Sequence, residues 1–135
     1  MTPRPPIGLL DTSVVIDLPR LTEDALPVFA TISAITLAEL SAGPQVAPDP
    51  ATAQARQLVL QQAEASFDPL PFDAACARRF ATVTSALRNS GRKTRARAFD
   101  ALIAATAAEN NMVLCSSNAK HLRPIRDLKL KVFRP

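Results

Sequence analysis

Asp11 is the residue of this chain whose chemistry is hardest to explain by structure alone. It directly follows residues 6–10, the apolar run Pro-Ile-Gly-Leu-Leu, which is typical of a buried strand. A carboxylate at the end of such a strand costs free energy unless it is paired with a cation or bound to a metal ion. Asp11 is therefore our first candidate for a metal ligand.

Three further side chains offer oxygen ligands in comparable places. These are Glu39, Asp100 and the amide residue Asn118. Carboxylate and amide oxygens suit Mg²⁺ or Mn²⁺ and do not favour zinc. Such an ion lowers the pKa of a bound water and neutralises charge on a phosphodiester. Because several carboxylates repel one another, a cation would also stabilise the cluster.

Each of these residues also has a purely structural interpretation. The spacing from Thr36 to Glu39 fits a helix capping box, and Asp100 would favour a helix N-terminus. Asn118 would cap a turn, and Asp11 would cap the helix after it. Taken singly, Glu39, Asp100 and Asn118 remain open between the two interpretations. Their expected convergence on one sheet edge favours a functional site.

Other catalytic classes find little support in the sequence. His121 is the single histidine, which excludes a paired-histidine ribonuclease mechanism within one chain. No G-x-S-x-G elbow and no phosphate-binding glycine motif is present. We interpret His121 as an ordinary surface or capping residue near the proposed edge. Cys76 and Cys115 lack metal or disulfide spacing and are expected to be reduced, partly buried thiols.

A basic stretch precedes Asp100, and the whole chain carries a net charge of +4. The stretch is either a solvated loop or an arm that binds the phosphates of RNA, and the two interpretations remain even. Because Trp and Tyr are absent, few aromatic side chains are available for stacking on bases. Besides Arg88, the candidate RNA-binding residues are Arg92, Lys93, Arg95 and Arg97.

Strand-like and helix-like segments alternate along the chain, which predicts an α/β fold. Strands are expected at residues 6–10, 29–34, 112–115 and 130–133, with 67–72 at best a short edge strand. Helices are expected at residues 12–18, 36–42, 52–65, 73–87 and 99–109. These elements predict one domain, residues 1–135, with a mostly parallel sheet of four to five strands flanked by helices. Sites in such sheets form beyond the carboxyl ends of the strands.

The chain has no apolar run long enough to span a membrane and no apolar secretory segment near its N-terminus. We therefore expect a cytoplasmic protein with no membrane partner.

At the residues singled out above, the chain resembles PIN-domain nucleases, and more narrowly the VapC-type toxins of type II toxin–antitoxin pairs. The order and spacing of the motifs fit over nearly the whole length. The matching segments are Leu9-Leu10-Asp11-Thr12-Ser13-Val14, Thr36-Leu37-Ala38-Glu39-Leu40, residues 99–107 around Asp100, and residues 114–122 around Ser116 and Asn118.

The resemblance implies a PIN fold and Mg²⁺- or Mn²⁺-dependent endoribonuclease activity, a hydrolase that inhibits translation by cutting tRNA or rRNA. It implies Asp11, Glu39 and Asp100 as the acidic metal site, with Ser13 and Ser116 as supporting hydroxyls. It also implies a homodimer and a small VapB-like antitoxin that occludes the site.

The last motif departs from the family pattern. The family often has an Asp at the position of Asn118 or of His121, and this sequence has neither acid. A missing negative charge weakens a second metal ion, so we expect one firmly held ion and a second that is weak or brought by substrate. Asn118 would complete the ligand set with a neutral oxygen or orient a metal-bound water.

The leading hypothesis is therefore metal-assisted hydrolysis of RNA by Asp11, Glu39, Asp100 and Asn118. The alternative is a catalytically weak PIN-fold module that binds RNA or protein without cutting. A nuclease that cuts DNA is a third hypothesis, which only a side-by-side test of RNA and DNA substrates separates from the ribonuclease hypothesis.

Overall fold

The sheet has four strands, and all of its pairings are parallel. A computed structural model describes residues 7–91 and 97–133. The strands are β1 (Ile7–Leu10), β2 (Phe29–Thr31), β3 (Val113–Ser116) and β4 (Lys129–Val132), in the spatial order β2-β1-β3-β4. The predicted α/β fold with a parallel sheet is thus confirmed. Because β1 and β3 are the inner strands, their carboxyl ends lie side by side at the middle of one sheet edge.

Five helices connect and flank these strands. They are α1 (Thr12–Asp17), α2 (Ala34–Ala42), α3 (Pro50–Ser66), α4 (Ala74–Asn89) and α5 (Ala98–Glu109), with a short 3-10 turn at Lys120–Leu122 after β3. Their boundaries lie within two residues of those expected from the sequence. None of the helices in the described ranges is long and apolar enough to cross a membrane.

Helices cover both faces of the sheet, as the continuous apolar run along β1 requires, because successive side chains of a strand point to opposite faces. Leu9 points into a core shared with α4 and α5, where Val83 and Ile103 are almost fully buried. Its neighbour Leu10 points into a second core with α1, α2 and α3, beside Val14. The two cores pack against opposite faces of β1. This packing fixes the position of the strand end, and therefore the position of Asp11, which follows it.

Two strand predictions need correction. β2 ends at Thr31, and residues 67–72 form no strand of the sheet. Leu70 makes only an isolated bridge with Ser33, through Leu70 N–H to Ile32 O at 2.9 Å and Ala34 N–H to Leu70 O at 2.8 Å. Proline on either side of Leu70 explains the short pairing, because proline has no N–H to donate to a ladder.

Both cysteines are free and buried, as expected from the sequence. Burial, opposed by the nearby charge of Lys131, raises the pKa of the Cys115 thiol to about 12. The thiol therefore stays protonated at neutral pH and acts as an apolar residue of β3.

Gly8, in β1, is a position where a side chain has no room. A Cβ there would overlap the ring of Pro27 and lie 3.3 Å from Cys115 Sγ. We expect Gly8→Ala to lower the free energy of unfolding by about 1–3 kcal/mol, measured by denaturant titration, because the well-packed neighbours must shift.

Gly43→Ala is the matched control for Gly8→Ala. Gly43 has helical dihedral angles (φ −52°, ψ −49°), and a Cβ there meets only the Arg56 side chain, at an ordinary contact distance of 3.4 Å. Alanine at such a position is expected to leave stability unchanged or raise it by about 0.4–1 kcal/mol. Equal stability of the two variants would contradict the packing argument.

Candidate metal centre

Asp11 lies directly beyond the end of β1 and begins α1. Its backbone N–H donates to Cys115 O of the neighbouring strand at 2.9 Å, which places it at the sheet edge. Its Oδ1 accepts the Val14 N–H at 3.1 Å and the Ser13 hydroxyl at 2.6 Å. Asp11 therefore does cap a helix, as the structural interpretation proposed. The residue is nonetheless only 8% exposed, an unusual place for a carboxylate.

Burial raises the pKa of Asp11, and the negative charge of Asp100 raises it further. Hydrogen bonds from Ser116, Ser13 and the Val14 N–H act in the opposite direction. In residues 7–91 and 97–133, no lysine or arginine forms an ion pair with Asp11. The negative charge of Asp11 is thus held by hydrogen bonds alone.

Glu39 faces the same centre from α2. The capping-box interpretation of Glu39 is wrong, because the cap of α2 is Ser33, whose hydroxyl accepts the Thr36 N–H at 3.0 Å. Glu39 Oε1 instead accepts the Thr12 hydroxyl at 2.7 Å, a contact from α2 to α1. Burial raises the pKa of Glu39, the Thr12 hydrogen bond opposes this, and the charges of Asp100 and Asp11 raise it further.

Asp100 stands in the first turn of α5 and completes the acidic group. Its charge acts on both Asp11 and Glu39, so the three acids predicted from the sequence share one local field. The Asp100 side chain is 38% exposed, whereas Asp11 is buried. The helix start itself, at Arg97, has no side-chain cap.

The interpretation of His121 as an ordinary surface or capping residue is wrong. Its side chain is only 11% exposed, and its Nε2 lies 3.0 Å from Asp100 Oδ2. The 3-10 turn after β3 folds back toward α5 and carries the imidazole to the acid. The available signal was its position in the last motif, where related chains often carry an acid.

The segment after β3 contributes more through Ser117 than the sequence suggested. The Ser117 N–H and hydroxyl both lie 3.1 Å from Ser13 Oγ. The single proton of the Ser13 hydroxyl points to Asp11 Oδ1, a carboxylate oxygen only 2.6 Å away. The buried Ser116 accepts the Asn118 N–H at 3.1 Å. Asn118 itself is exposed, and in the described part of the chain its side chain makes no hydrogen bond.

Of the basic stretch, Arg88 lies exposed in the last turn of α4, and Arg97 is the other member within the described residues. Arg92, Lys93 and Arg95 lie outside them. Arg97 is exposed at the start of α5, three residues before Asp100. This position places a cation within one helical turn of Asp100.

The donors of this group fit a hard divalent cation in their chemistry. They are anionic oxygens, and two of the acids have raised pKa values that a cation would bring down. They do not form a closed ligand cage: across residues 7–91 and 97–133, no three His, Cys, Asp or Glu side chains stand as a ready metal-holding group. Bound metal or substrate would have to draw them closer.

Comparison with known proteins agrees with this geometry. The family model for the PIN domain matches residues 8–126. Among solved structures, VapBC-5 from Mycobacterium tuberculosis, a member of the VapBC family of toxin–antitoxin systems, is 30% identical, with 97% of this chain and 100% of that chain covered and a TM-score of 0.81.

Two other solved structures are similar over most of their length. FitAcB from Neisseria gonorrhoeae is 27% identical, with 92% and 95% of the two chains covered and a TM-score of 0.71. VapBC2 from Rickettsia felis, bound to a DNA fragment from its promoter, is 22% identical, with 95% and 99% covered and a TM-score of 0.75, and shows the fold alone. No curated protein matches the chain in sequence.

Proposed function

Since this chain belongs to the PIN-domain family, as its motifs predicted, we propose that it is a Mg²⁺- or Mn²⁺-dependent endoribonuclease. The observation that carries the proposal is the buried Asp11 at the end of β1, which shares its field with Asp100 and Glu39 and has no basic partner in the described ranges. Three such acids at the edge of a parallel sheet suit metal-assisted hydrolysis.

In this proposal, Asp11 and Asp100 would bind the ion directly, and Glu39 would bind it through water or position the attacking water. When bound, the ion supplies an activated water and neutralises charge on the phosphodiester. The chain's own hydroxyls hold the acids in place: Ser13 donates to Asp11, and Thr12 donates to Glu39. Asn118 completes the ligand set with a neutral oxygen, and Ser116 supports Asp11.

The biological role we propose is that of a VapC-type toxin, which cuts tRNA or rRNA and is held inactive by a VapB-like antitoxin. The support is similarity to a member of the VapBC family at 30% identity over 97% of the chain. We further propose that the protein acts as a homodimer. Co-expression with the adjacent small reading frame, followed by co-purification, tests the partner.

A metal-titrated cleavage assay tests the activity. Labelled structured RNAs and a DNA of the same sequence are incubated with Mg²⁺, with Mn²⁺ and with EDTA. We expect cleavage of RNA with either ion, none with EDTA, and little or none of DNA. Cleavage that persists in EDTA contradicts the metal requirement, and preferential cutting of DNA contradicts the substrate class.

A second candidate, a catalytically weak module that binds RNA or protein, is favoured by two observations. The acids of the described chain do not form a ready metal-holding group, and the last motif lacks the family's acid. The same assay separates the two functions. RNA retained in a binding experiment but uncut under every divalent ion supports the binding module.

A further inference from the structure

The strongest feature outside the acidic group is a cationic groove beside it. The segment after β3 is fastened to the site at two points, by Ser117 to Ser13 at 3.1 Å and by His121 to Asp100 at 3.0 Å. The groove is an open cavity of about 530 Å³ that this segment borders. The lining residues are Ser117, Asn118, Ala119, Lys120, Arg123 and Val132. One segment therefore both lines this groove and contacts Ser13 and Asp100 of the site.

The charge of the groove is positive and uncompensated. Among the residues that the structure describes, no acid lines it, and both Lys120 and Arg123 are exposed. Arg79 and Arg20 lie in ion pairs, whereas within residues 7–91 and 97–133 neither groove cation has an acidic partner. Two cations without acidic partners attract a polyanion. This attraction is needed at a nuclease site of three acids, because the scissile phosphate must approach those acids.

We propose that this groove binds the phosphate backbone of the RNA strand next to the scissile bond, with Lys120 and Arg123 each contacting a phosphate. The inference rests on the proposed ribonuclease function and deepens it. Three carboxylates repel a nucleic-acid strand, and cations a few residues away offset that repulsion where the strand leaves the site. The contacts are to the backbone, so they position the strand without reading its sequence.

The test measures RNA binding without cleavage. A labelled single-stranded RNA is titrated with Asp11→Asn protein in EDTA, at several salt concentrations. Adding Lys120→Ala and Arg123→Ala is expected to weaken binding at least about tenfold and to reduce the slope of log K against log salt by roughly 1.4, about 0.7 for each lost phosphate contact to a single strand.

Arg56→Ala with Arg78→Ala is the matched control. Both arginines are exposed, lie on α3 and α4, and do not line the groove, so the control removes the same charge elsewhere. We expect it to change RNA affinity less than about threefold, as a contribution of net charge alone. If the groove pair and the control pair lose equal RNA affinity, the proposed groove is overturned. It is also overturned if the groove pair binds RNA normally but no longer binds the antitoxin.

The groove and the nuclease function can fail separately. If the groove pair weakens RNA binding but the wild-type protein cuts no RNA with any ion, the groove stands and the proposed function fails. If the wild type cuts RNA and the groove pair binds it as well as the control pair does, only the groove fails.

A second inference comes independently from the buried imidazole of His121. Its ring lies 11% exposed in the turn Lys120–Leu122, anchored by the buried Leu122. Nε2 is 3.0 Å from Asp100 Oδ2. We infer that His121 is a positioning residue: its Nε2–H donates to one oxygen of Asp100 and turns the other toward the metal position. Partners of this kind orient metal-binding carboxylates in many proteins.

Mn²⁺ affinity in the absence of RNA tests this role, read from the electron paramagnetic resonance signal of free Mn²⁺. His121→Phe keeps a ring but loses the donor, and it is expected to weaken Mn²⁺ binding about 10–100-fold. His121→Gln places an amide N–H near the position of Nε2 and is expected to restore most of the affinity. Thermal unfolding of both variants verifies that they are folded.

The outcomes distinguish this inference from the proposed function. Wild-type affinity in His121→Phe overturns the positioning role, and so does a His121→Gln variant as weak as His121→Phe. A wild-type protein that binds no Mn²⁺ overturns the metal-dependent function together with this inference.

Discussion

Asp11→Asn is expected to reduce metal-dependent RNA cleavage by about a thousandfold or more while the protein remains folded. The substitution removes the most buried charge of the site and with it a proposed direct ligand of the metal ion. A loss of about 4 kcal/mol in transition-state stabilisation, within the range that metal ions provide, corresponds to a factor of about a thousand. Single-turnover cleavage of a labelled RNA at saturating Mn²⁺ measures the loss.

The fold tolerates this change because asparagine retains the helix-cap contacts that Asp11 makes through Oδ1. Its Oδ1 accepts the same hydrogen bonds, from the Val14 N–H and the Ser13 hydroxyl. Asparagine and aspartate are comparable N-cap residues, so α1 keeps its start. An Asp11→Ala variant, which loses the cap, is the contrast: it is expected to lose activity and also about 0.5–2 kcal/mol of stability.

Asp11→Asn is also expected to change the stability of the metal-free protein, in a direction that depends on pH. Burial raises the pKa of Asp11 in the folded protein, so the fold is favoured when Asp11 is protonated. That stabilisation is complete below the unfolded pKa and is lost as pH rises through the higher folded pKa. At neutral pH the metal-free wild type therefore carries an unfavourable charge that Asp11→Asn lacks.

We thus expect metal-free Asp11→Asn to be at least as stable as the wild type at pH 7, and to lose this advantage toward pH 4. Added Mn²⁺ should raise the unfolding temperature of the wild type only, because only that protein binds the ion tightly. A variant that is less stable at pH 7 yet more stable at pH 4 would contradict the sign of the effect.

Asp100→Asn carries the second large expectation, a loss of cleavage of about a hundredfold or more. Asp100 is a proposed direct metal ligand whose side chain is 38% exposed, so removing its charge should leave the fold intact. Because the charge of Asp100 raises the pKa values of Glu39 and Asp11, the variant should also lower both. Carbon-13 NMR titration of the carboxyl groups measures this second effect without any RNA or metal.

Asp127→Asn is the control for Asp100→Asn. Asp127 is an acid 67% exposed in its side chain and paired at 3.4 Å with Arg79, and it has no part in the acidic group. We expect this control to cleave RNA at the wild-type rate and to leave the titration of Glu39 unchanged. If Asp100→Asn retains cleavage, Asp100 is no ligand. If Asp100→Asn loses cleavage but leaves the pKa of Glu39 unchanged, Asp100 and Glu39 lie too far apart for the charge of one to affect the other.

Much of the frame that carries the site was determined by local sequence. The apolar run before Asp11 and the periodicity of residues 73–87 each encode an element through side chains that are neighbours in the chain. Alternation of such elements is enough to predict a parallel sheet, and a parallel sheet is enough to predict where Asp11 lies. Asp11 itself stood out because burial of an unpaired carboxylate is costly wherever the rest of the chain goes.

The partners of the acids were decided only by the tertiary structure. The spacing of Thr36 and Glu39 suggested a local cap, but Glu39 bonds Thr12 of another helix. Ser117 reaches Ser13 across 104 positions of sequence. His121 meets Asp100 because the turn after β3 folds back over α5.

The physical reason is that these contacts depend on which strands are neighbours. β3 lies beside β1, although about a hundred residues separate them in the chain, and that order brings Ser117 to Ser13. Packing of two cores on opposite faces of the sheet selects that order, and no local pattern encodes it. The sequence alone could therefore name the acids, whereas the fold determined which hydroxyls and which imidazole hold them.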